Sequence, residues 1–300
     1  MWGWPSAIRG RWRRHWPRRW GWSSSEPRCG PDCEAPDKPA GSLTMDKFVF
    51  IREGRKTACV REDGGSVIAG ALLRNAGCEP AGVGGRGMLA RFAWKNGHGL
   101  IRTYRRGGMA RYLPGDSFLL QNRALRELEI HYFVFAKGLP VPEPLGACWQ
   151  RAGVWFSGAI ATREIEAVNL IERLEATALK RPSDAVVNEY HANLMRSCGR
   201  LFRQMHDMGV FHADLHAGNV LSSETGLYLM DFDKALVLPR LSRLQRARNL
   251  FRFRRSLEKR HFPPSLFELL CEGYGPAVLP GWMSRVYQTK GHFSDWASGR

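Results

Sequence analysis

Between Met45 and about residue 121 the apolar positions fall into short runs, among them Phe48-Val49-Phe50-Ile51, Ala58-Cys59-Val60-Arg61 and Leu100-Ile101-Arg102-Thr103-Tyr104. Runs of this length, bounded by glycine and charged residues, predict strands. The glycine-rich stretch from Gly82 to Phe92 leads through Lys95-Asn96-Gly97 into Leu100, a hairpin pattern, so β-structure is expected to dominate this part of the chain as a small antiparallel sheet. The period then becomes helical. Leu125, Leu128, Tyr132 and Phe135 recur every three or four residues and predict a helix from about Gln121 to Lys137, stopped by Gly138 and Pro140. After Pro144, the run from Val154-Trp155-Phe156 to Ile160-Ala161 predicts another strand leading into a polar connection, where a lobe boundary is expected. A second helix is expected from about Val187 to Met208, with Tyr190, Leu194, Cys198, Leu201, Phe202 and Met205 on its buried face and Gly209 at its end. Beyond Arg240 the segments are basic and helix-like, so the order is sheet-rich first, helix-rich second.

Composition adds a partner class. With 44% hydrophobic and 24% charged residues over 300 positions, the chain is globular rather than disordered. Lys plus Arg number 45 against 28 Asp plus Glu, a net charge of +17, which suits nucleic acid, anionic lipid or a polyphosphorylated substrate. The seven cysteines lack the paired spacing of a disulfide framework or a zinc site, and a reducing compartment is expected. No stretch reaches the roughly 18 apolar residues of a membrane-spanning helix, and the arginines of the first residues interrupt any apolar core of a secretory signal. Residues 1–44 hold six of the 11 tryptophans together with Arg9-Gly10-Arg11-Trp12-Arg13-Arg14. They read as a disordered extension, or as an over-extended start whose true initiator is Met45.

Chemistry concentrates in Val210-Phe211-His212-Ala213-Asp214-Leu215-His216-Ala217-Gly218-Asn219-Val220-Leu221 and in Leu229-Met230-Asp231-Phe232-Asp233. Val220-Leu221-Ser222 and Leu227-Tyr228-Leu229-Met230 are joined by Ser-Glu-Thr-Gly and should fold back as a hairpin, which brings Asn219 beside Asp231. A carboxylate and an amide oxygen at the open end of a hairpin suit a hard cation such as Mg2+, with phosphate oxygens completing its shell. Asp214, one short loop away, is positioned to accept the proton of an attacking hydroxyl. The expected chemistry is phosphoryl transfer.

The same residues resemble the protein-kinase-like pattern H-x-D-x-x-x-x-N followed by D-F-G, matched by His212, Asp214, Asn219, Asp231 and Phe232. The upstream half should then supply a phosphate-covering loop, for which Gly84, Gly85, Arg86 and Gly87 are the candidates, and a cation. Where the pattern V-A-I-K has lysine, this chain has Gly99-Leu100-Ile101-Arg102, so Arg102 is the expected phosphate contact. Its partner is expected to be Glu127 on the first helix, with Glu129 as rival, because the sequence leaves the phase of that helix open. No G-x-x-x-x-G-K-[ST] is present, so a P-loop ATPase is not supported.

Finer wording narrows the resemblance. His-Ala-Asp-Leu-x-Ala-x-Asn, the Asp231-Phe232-Asp233 form of D-F-G and Arg102-Thr103-Tyr104-Arg105-Arg106-Gly107-Gly108 are similar to the 3-deoxy-D-manno-octulosonic acid (Kdo) kinases of Gram-negative bacteria. So are Arg123-Ala124-Leu125-Arg126-Glu127, Gly138-Leu139-Pro140-Val141-Pro142-Glu143-Pro144 and Arg254-Arg255-Ser256-Leu257-Glu258-Lys259, a likeness covering about residues 80 to 260. It implies an α+β, bilobal protein-kinase-like fold, with a sheet-rich lobe over 45–162 and a mainly helical lobe over 163–300. It implies ATP and Mg2+ between the lobes, Asp214 as catalytic base, Asn219 and Asp231 as metal ligands, and phosphorylation of the 4-hydroxyl of Kdo on a lipid A precursor. His216 stands where many members have Asn, and Lys234-Ala235 where they have Arg-Gly.

The nine Lys or Arg between Arg240 and Arg260, against the single acid Glu258, then suit the phosphates of a glycolipid acceptor or the anionic inner-membrane surface that holds it. A peripheral position on the cytoplasmic side is expected, with neither nucleic acid nor an obligate protein partner. The rival readings are a heptose kinase of the lipopolysaccharide core, another small-molecule kinase, and a membrane-associated pseudokinase scaffold. The absence of an A-P-E element argues against protein substrates.

Overall fold

The computed structural model describes residues 45–84, 87–104, 122–152, 155–176 and 187–275, with side chains described outside 82–88 and 151–156. The first half runs β1 (Phe48–Glu53), β2 (Lys56–Arg61), α1 (Gly65–Arg74), β3 (Cys78–Gly84), β4 (Gly87–Trp94), β5 (Gly97–Thr103), α2 (Arg123–Ala136), β6 (Pro144–Ala152) and β7 (Trp155–Arg163). The second half runs β8 (Val168–Asn169), α3 (Leu170–Ala176), α4 (Glu189–Asp207), β9 (Val210–Phe211), β10 (Val220–Ser223), β11 (Gly226–Leu229), β12 (Leu236–Val237), α5 (Arg243–Glu258) and α6 (Ser265–Tyr274).

All strands of the first half join one antiparallel sheet in the order β1-β2-β6-β7-β5-β4-β3. Strand alternation sends successive residues to opposite faces. Ala58, Val60, Leu145 and Ala161 pack under α1, whereas Cys59, Ala147 and Ile160 pack against Ala124 and Leu128 of α2. β-structure dominates before residue 121 as expected, but the helix α1 was not anticipated. That helix buries Gly65 and every residue from Ile68 to Leu73, so it has almost no polar face from which a helical period could be read. β6 was likewise not anticipated, because Pro144 and Gly146 mask its start.

The face of α2 also departs from the predicted stripe. Ala124, Glu127, Leu128, Ile130, His131 and Val134 are buried, while Leu125, Tyr132 and Phe135 are half-buried. Asn122 caps the helix by accepting the Leu125 amide at 3.2 Å. The inward face thus carries two titratable side chains, for reasons that lie in the site.

The core of the second half gathers around α4. Asn188 and His191 close a capping box at its start, and Gly209 at φ 79 turns the chain out of its end. Cys198, Leu201, Phe202 and Met205 are buried as expected, but Tyr190 is 47% exposed, because His191 takes the inward position in the first turn. α4 crosses α6 backbone to backbone: a Cβ on Gly199 would collide with the Leu270 carbonyl oxygen, and one on Gly273 with that of Arg196. β9 pairs with β12, and β10 pairs with β11 on one side and β8 on the other.

Candidate active site

The segment after β9 is held from behind by α5. Asn249, fully buried, accepts the His212 amide on Oδ1 at 3.1 Å and donates from Nδ2 to the His212 carbonyl at 2.8 Å. The same Oδ1 receives His206 Nε2 at 3.1 Å, which leaves His206 Nδ1 to accept the Tyr274 hydroxyl at 2.8 Å. Burial holds both imidazoles below their ordinary range, His206 down to about 4, so the network is neutral. Two turns further along α5, the Ser256 hydroxyl accepts the Ala217 amide at 3.0 Å. His212 also bonds through Nε2 to the Met230 carbonyl at 3.1 Å, tying this loop to the strand end that precedes Asp231.

The predicted fold-back forms, with Val220 opposite Leu229. The Met230 amide donates to the Asn219 carbonyl at 3.0 Å, which sets Asn219 and Asp231 at the same end of the hairpin. Asn219 Nδ2 donates to the Asp214 carbonyl at 3.0 Å, which turns the amide so that its oxygen is free of that bond. Asp231 has φ 67, a left-handed conformation rare outside glycine and worth a functional explanation. It turns the carboxylate towards the sheet half while Phe232 stays fully buried, its ring centroid 5.4 Å from that of His131 and 5.3 Å from that of His212. Burial pushes His131 down to about 4, and its Nε2 bonds the Pro142 carbonyl at 2.7 Å.

From the sheet half, Arg102 on β5 reaches both elements. Its Nη2 lies 2.6 Å from Glu127 Oε1 and 3.2 Å from Asp231 Oδ1. Burial raises the Glu127 carboxyl to about 7 against the pull of Arg102, and the Tyr104 hydroxyl donates to its second oxygen. Burial works against the charge of Arg102, but Glu127 and Asp231 outweigh it and keep the guanidinium charged. Arg123, at the start of α2, pairs with Asp233. The Arg102 and Arg123 guanidiniums each lie 5.4 Å from the Tyr104 ring centroid.

Arg102, Glu127, Asp231, Asn219 and Asp214 are therefore linked, directly or through one intervening bond, across the two halves. Glu127, not Glu129, meets Arg102; Glu129 is half-buried on a neighbouring face, where it bears on Cys59. Gly84 and Gly87 lie opposite each other where β3 turns into β4, whereas Gly85 and Arg86 lie outside the described residues, as do Arg105 to Gly108. The sequence reasoning missed Asn249 as a support, assigned no role to Tyr104, Arg123 or His131, and counted Arg252 only among the basic residues between Arg240 and Arg260. The available signal for Asn249 was a short amide among the arginines of α5, next to the buried Leu250.

The donor set fits a hard cation that brings ligands of its own. Asp231 and Asn219 supply one carboxylate and one amide oxygen, and among the described residues no group of three or more acidic, histidine or cysteine side chains forms a self-sufficient metal cage. Phosphate oxygens and water would have to complete the shell.

A seven-stranded sheet with an internal Arg–Glu pair, a hairpin ending in Asn and Asp, and a loop aspartate backed by the helical half define a protein-kinase-like fold. A family model described as the lipopolysaccharide kinase (Kdo/WaaP) family matches residues 81–274, and the chain belongs to that family. A 3-deoxy-D-manno-octulosonic acid kinase of Xylella fastidiosa (strain M23) is 34% identical over 207 residues, 65% of this chain and 78% of the relative. One of Xanthomonas campestris pv. campestris (strain B100) is 33% identical over 186 residues, 60% of this chain and 70% of that relative. A solved structure described as WaaP in complex with acyl carrier protein aligns over 76% of this chain and 92% of its own, at TM-score 0.46 and 16% identity. The chain is thus a lipopolysaccharide kinase, a phosphotransferase with an alcohol group as acceptor, and its family implies the use of ATP. Among the described residues no helix is long and apolar enough to cross a membrane.

Proposed function

We propose that this kinase transfers the γ-phosphate of ATP to the 4-hydroxyl of Kdo on a Kdo–lipid A precursor. The observation that carries the reading is the convergence of Asp214, Asn219 and Asp231 at one hairpin end, facing the pair made by Arg102 of β5 and Glu127 of α2. The names of the relatives supply the acceptor class.

In this reading Asp214 is the base. Its half-exposed carboxylate receives the acceptor proton as the hydroxyl oxygen bonds to the γ-phosphorus and the bond from that phosphorus to the β-phosphate oxygen breaks, releasing ADP. Arg102 contacts the phosphates, and Glu127 fixes its direction with help from Tyr104. Gly84, Gly85, Arg86 and Gly87 cover the phosphates with backbone amides. Asp231 and Asn219 would hold Mg2+, which when bound neutralises charge on the phosphate oxygens. The division into lobes at residues 162 and 163 belongs to the same proposal.

Arg243, Arg248, Lys259 and Arg260 are exposed on and just after α5, and they suit a peripheral position on the anionic cytoplasmic face of the inner membrane. Sedimentation with anionic vesicles should weaken as salt rises, and salt-independent binding would remove this part of the reading. The function itself is tested by ATP consumption with Kdo–lipid A precursor, heptosylated core and free sugars in parallel. Turnover confined to the heptosylated core would replace Kdo by heptose as acceptor. Asp214→Ala should abolish transfer while nucleotide binding persists; undiminished turnover would remove the base assignment.

A further inference from the structure

Helix α5 does more than support the catalytic loop. Three residues after Asn249 it carries Arg252, whose Nη1 lies 3.4 Å from Asp214 Oδ1. Both partners are about half exposed, 50% and 48%, and the contact is long and single, so water screens it and an incoming ligand can exchange it. The loop does not depend on this contact, because Asn249 and Ser256 already hold its backbone. Arg248, one turn earlier, is exposed with its guanidinium 5.9 Å from the Phe211 ring centroid, so the surface beside Asp214 is positive. Arg102, the cation expected on the nucleotide side, approaches Asp231 from the sheet, whereas Arg252 approaches Asp214 from the helical half.

We propose that Arg252 binds a carboxylate carried by the acceptor sugar, the negative group of the same sugar acid whose hydroxyl Asp214 receives. The inference rests on the sugar-acid reading above and extends it to a residue and a substrate group. A hydroxyl bonded to Asp214 lies about 3 Å from the carboxylate. Adding the 3.4 Å to Arg252 places the guanidinium within about 6.5 Å of the reacting oxygen, a span that two substituents of one sugar ring can cover. The planar guanidinium fits a carboxylate through two parallel bonds, a stronger arrangement than its single long contact with Asp214. The acceptor therefore takes Arg252 away from Asp214 as it binds and leaves that carboxylate free for the hydroxyl. A neutral sugar offers no such exchange and has to compete with Arg252 for the same oxygen.

The test compares the wild type, Arg252→Ala and Arg252→Lys on three acceptors: the Kdo-bearing lipid, its carboxamide analogue and its phosphate-free form. Arg252→Ala should raise KM for the acid acceptor about tenfold, leave KM for ATP unchanged, and regain part of the loss as Arg252→Lys. On the carboxamide, which gains nothing from Arg252 and competes with it for Asp214, Arg252→Ala should match or exceed the wild type. An equal loss on acid and carboxamide would overturn the assignment and put Arg252 with the loop or the transferred phosphate. A loss that vanishes only on the phosphate-free acceptor would overturn it in favour of the lipid phosphate. Failure of the wild type on all three acceptors would overturn the proposed function and this inference together, whereas failure of the carboxamide comparison alone leaves the function standing.

Discussion

The two walls of the site are built from different forces. On the sheet side, Arg102, Glu127 and Asp231 are joined by contacts between formal charges, with Tyr104 donating to one of the carboxylates. On the helical side, Asn249, His206, His212 and Tyr274 form a buried network of neutral side chains, which a formal charge meets at its rim, where Arg246 donates to the Tyr274 hydroxyl at 3.3 Å. A charged wall can trade partners when phosphates arrive, because a guanidinium already facing two carboxylates has alternatives. A neutral wall in a buried setting has none, since each lost bond strands a polar atom away from water. Under the proposed function, nucleotide handling falls to the first wall and rigid presentation of Asp214 to the second.

The sharpest way to break the comparison is Asp231→Asn, which removes a charge from the sheet-side wall without changing its shape. Turnover should fall at least about a hundredfold while the melting temperature holds or rises, as Arg102 keeps Glu127. A large loss of stability would place Asp231 with the structural wall instead. The converse change, Asn249→Leu, should cost about 3 kcal/mol in denaturant unfolding, because the His212 amide and carbonyl both lose their partner in a buried place. Near-wild-type unfolding would contradict the neutral wall.

Acid sharpens the contrast. Unfolded histidines titrate near 6.5, but folded His131 and His206 are held at about 4, so between these values the unfolded chain binds protons that the folded chain refuses. Stability should therefore fall as pH drops from 6.5 towards 4, by up to about 3 kcal/mol for each ring, and the loss is complete below that window. Glu127 acts in the opposite sense between 4.5 and about 7, where the folded protein binds the extra proton, so it offsets one ring. Urea titrations across the window measure the net decline; a flat profile would mean that the rings charge in place. The smallest effect is expected for Arg123→Ala. The exposed tie to Asp233 steadies α2 without touching Glu127, so kcat/KM should fall only a few-fold, more at low salt than at high salt. A hundredfold loss would move Arg123 onto the charged wall itself.

The legibility of the molecule follows the same division. His212, Asp214, Asn219 and Asp231 lie within one loop and one hairpin, so spacing alone brings them together; α4 appears where its period predicts it, and α5 falls in the stretch beyond Arg240 that reads only as basic and helix-like. Glu127 could not be separated from Glu129 because the apolar stripe chosen for α2 was rotated: the true inward face carries Glu127 and His131, which count as polar in any hydropathy pattern. α1 escaped for the opposite reason, being apolar nearly all round. Asn249 is separated by 37 positions from the histidine it holds, and a single amide amid arginines carries no spacing signal. Arg252 read as one more positive charge on a basic helix, and only its approach to Asp214 distinguishes it.

The crossing of α4 and α6 sets a limit on how the enzyme can vary. Gly199 and Gly273 each meet the other helix's main chain with no room for a methyl group. In a library of every single substitution, these two sites should stand as nearly empty columns, closed even to alanine, whereas the exposed positions of the same helices accept it. α4 leads through β9 into the Asp214 loop, so a helix pushed outward there would carry the Asp214 carboxylate with it. Survivors at either column should therefore recover through a second change in the facing turn rather than by enlarging the gap.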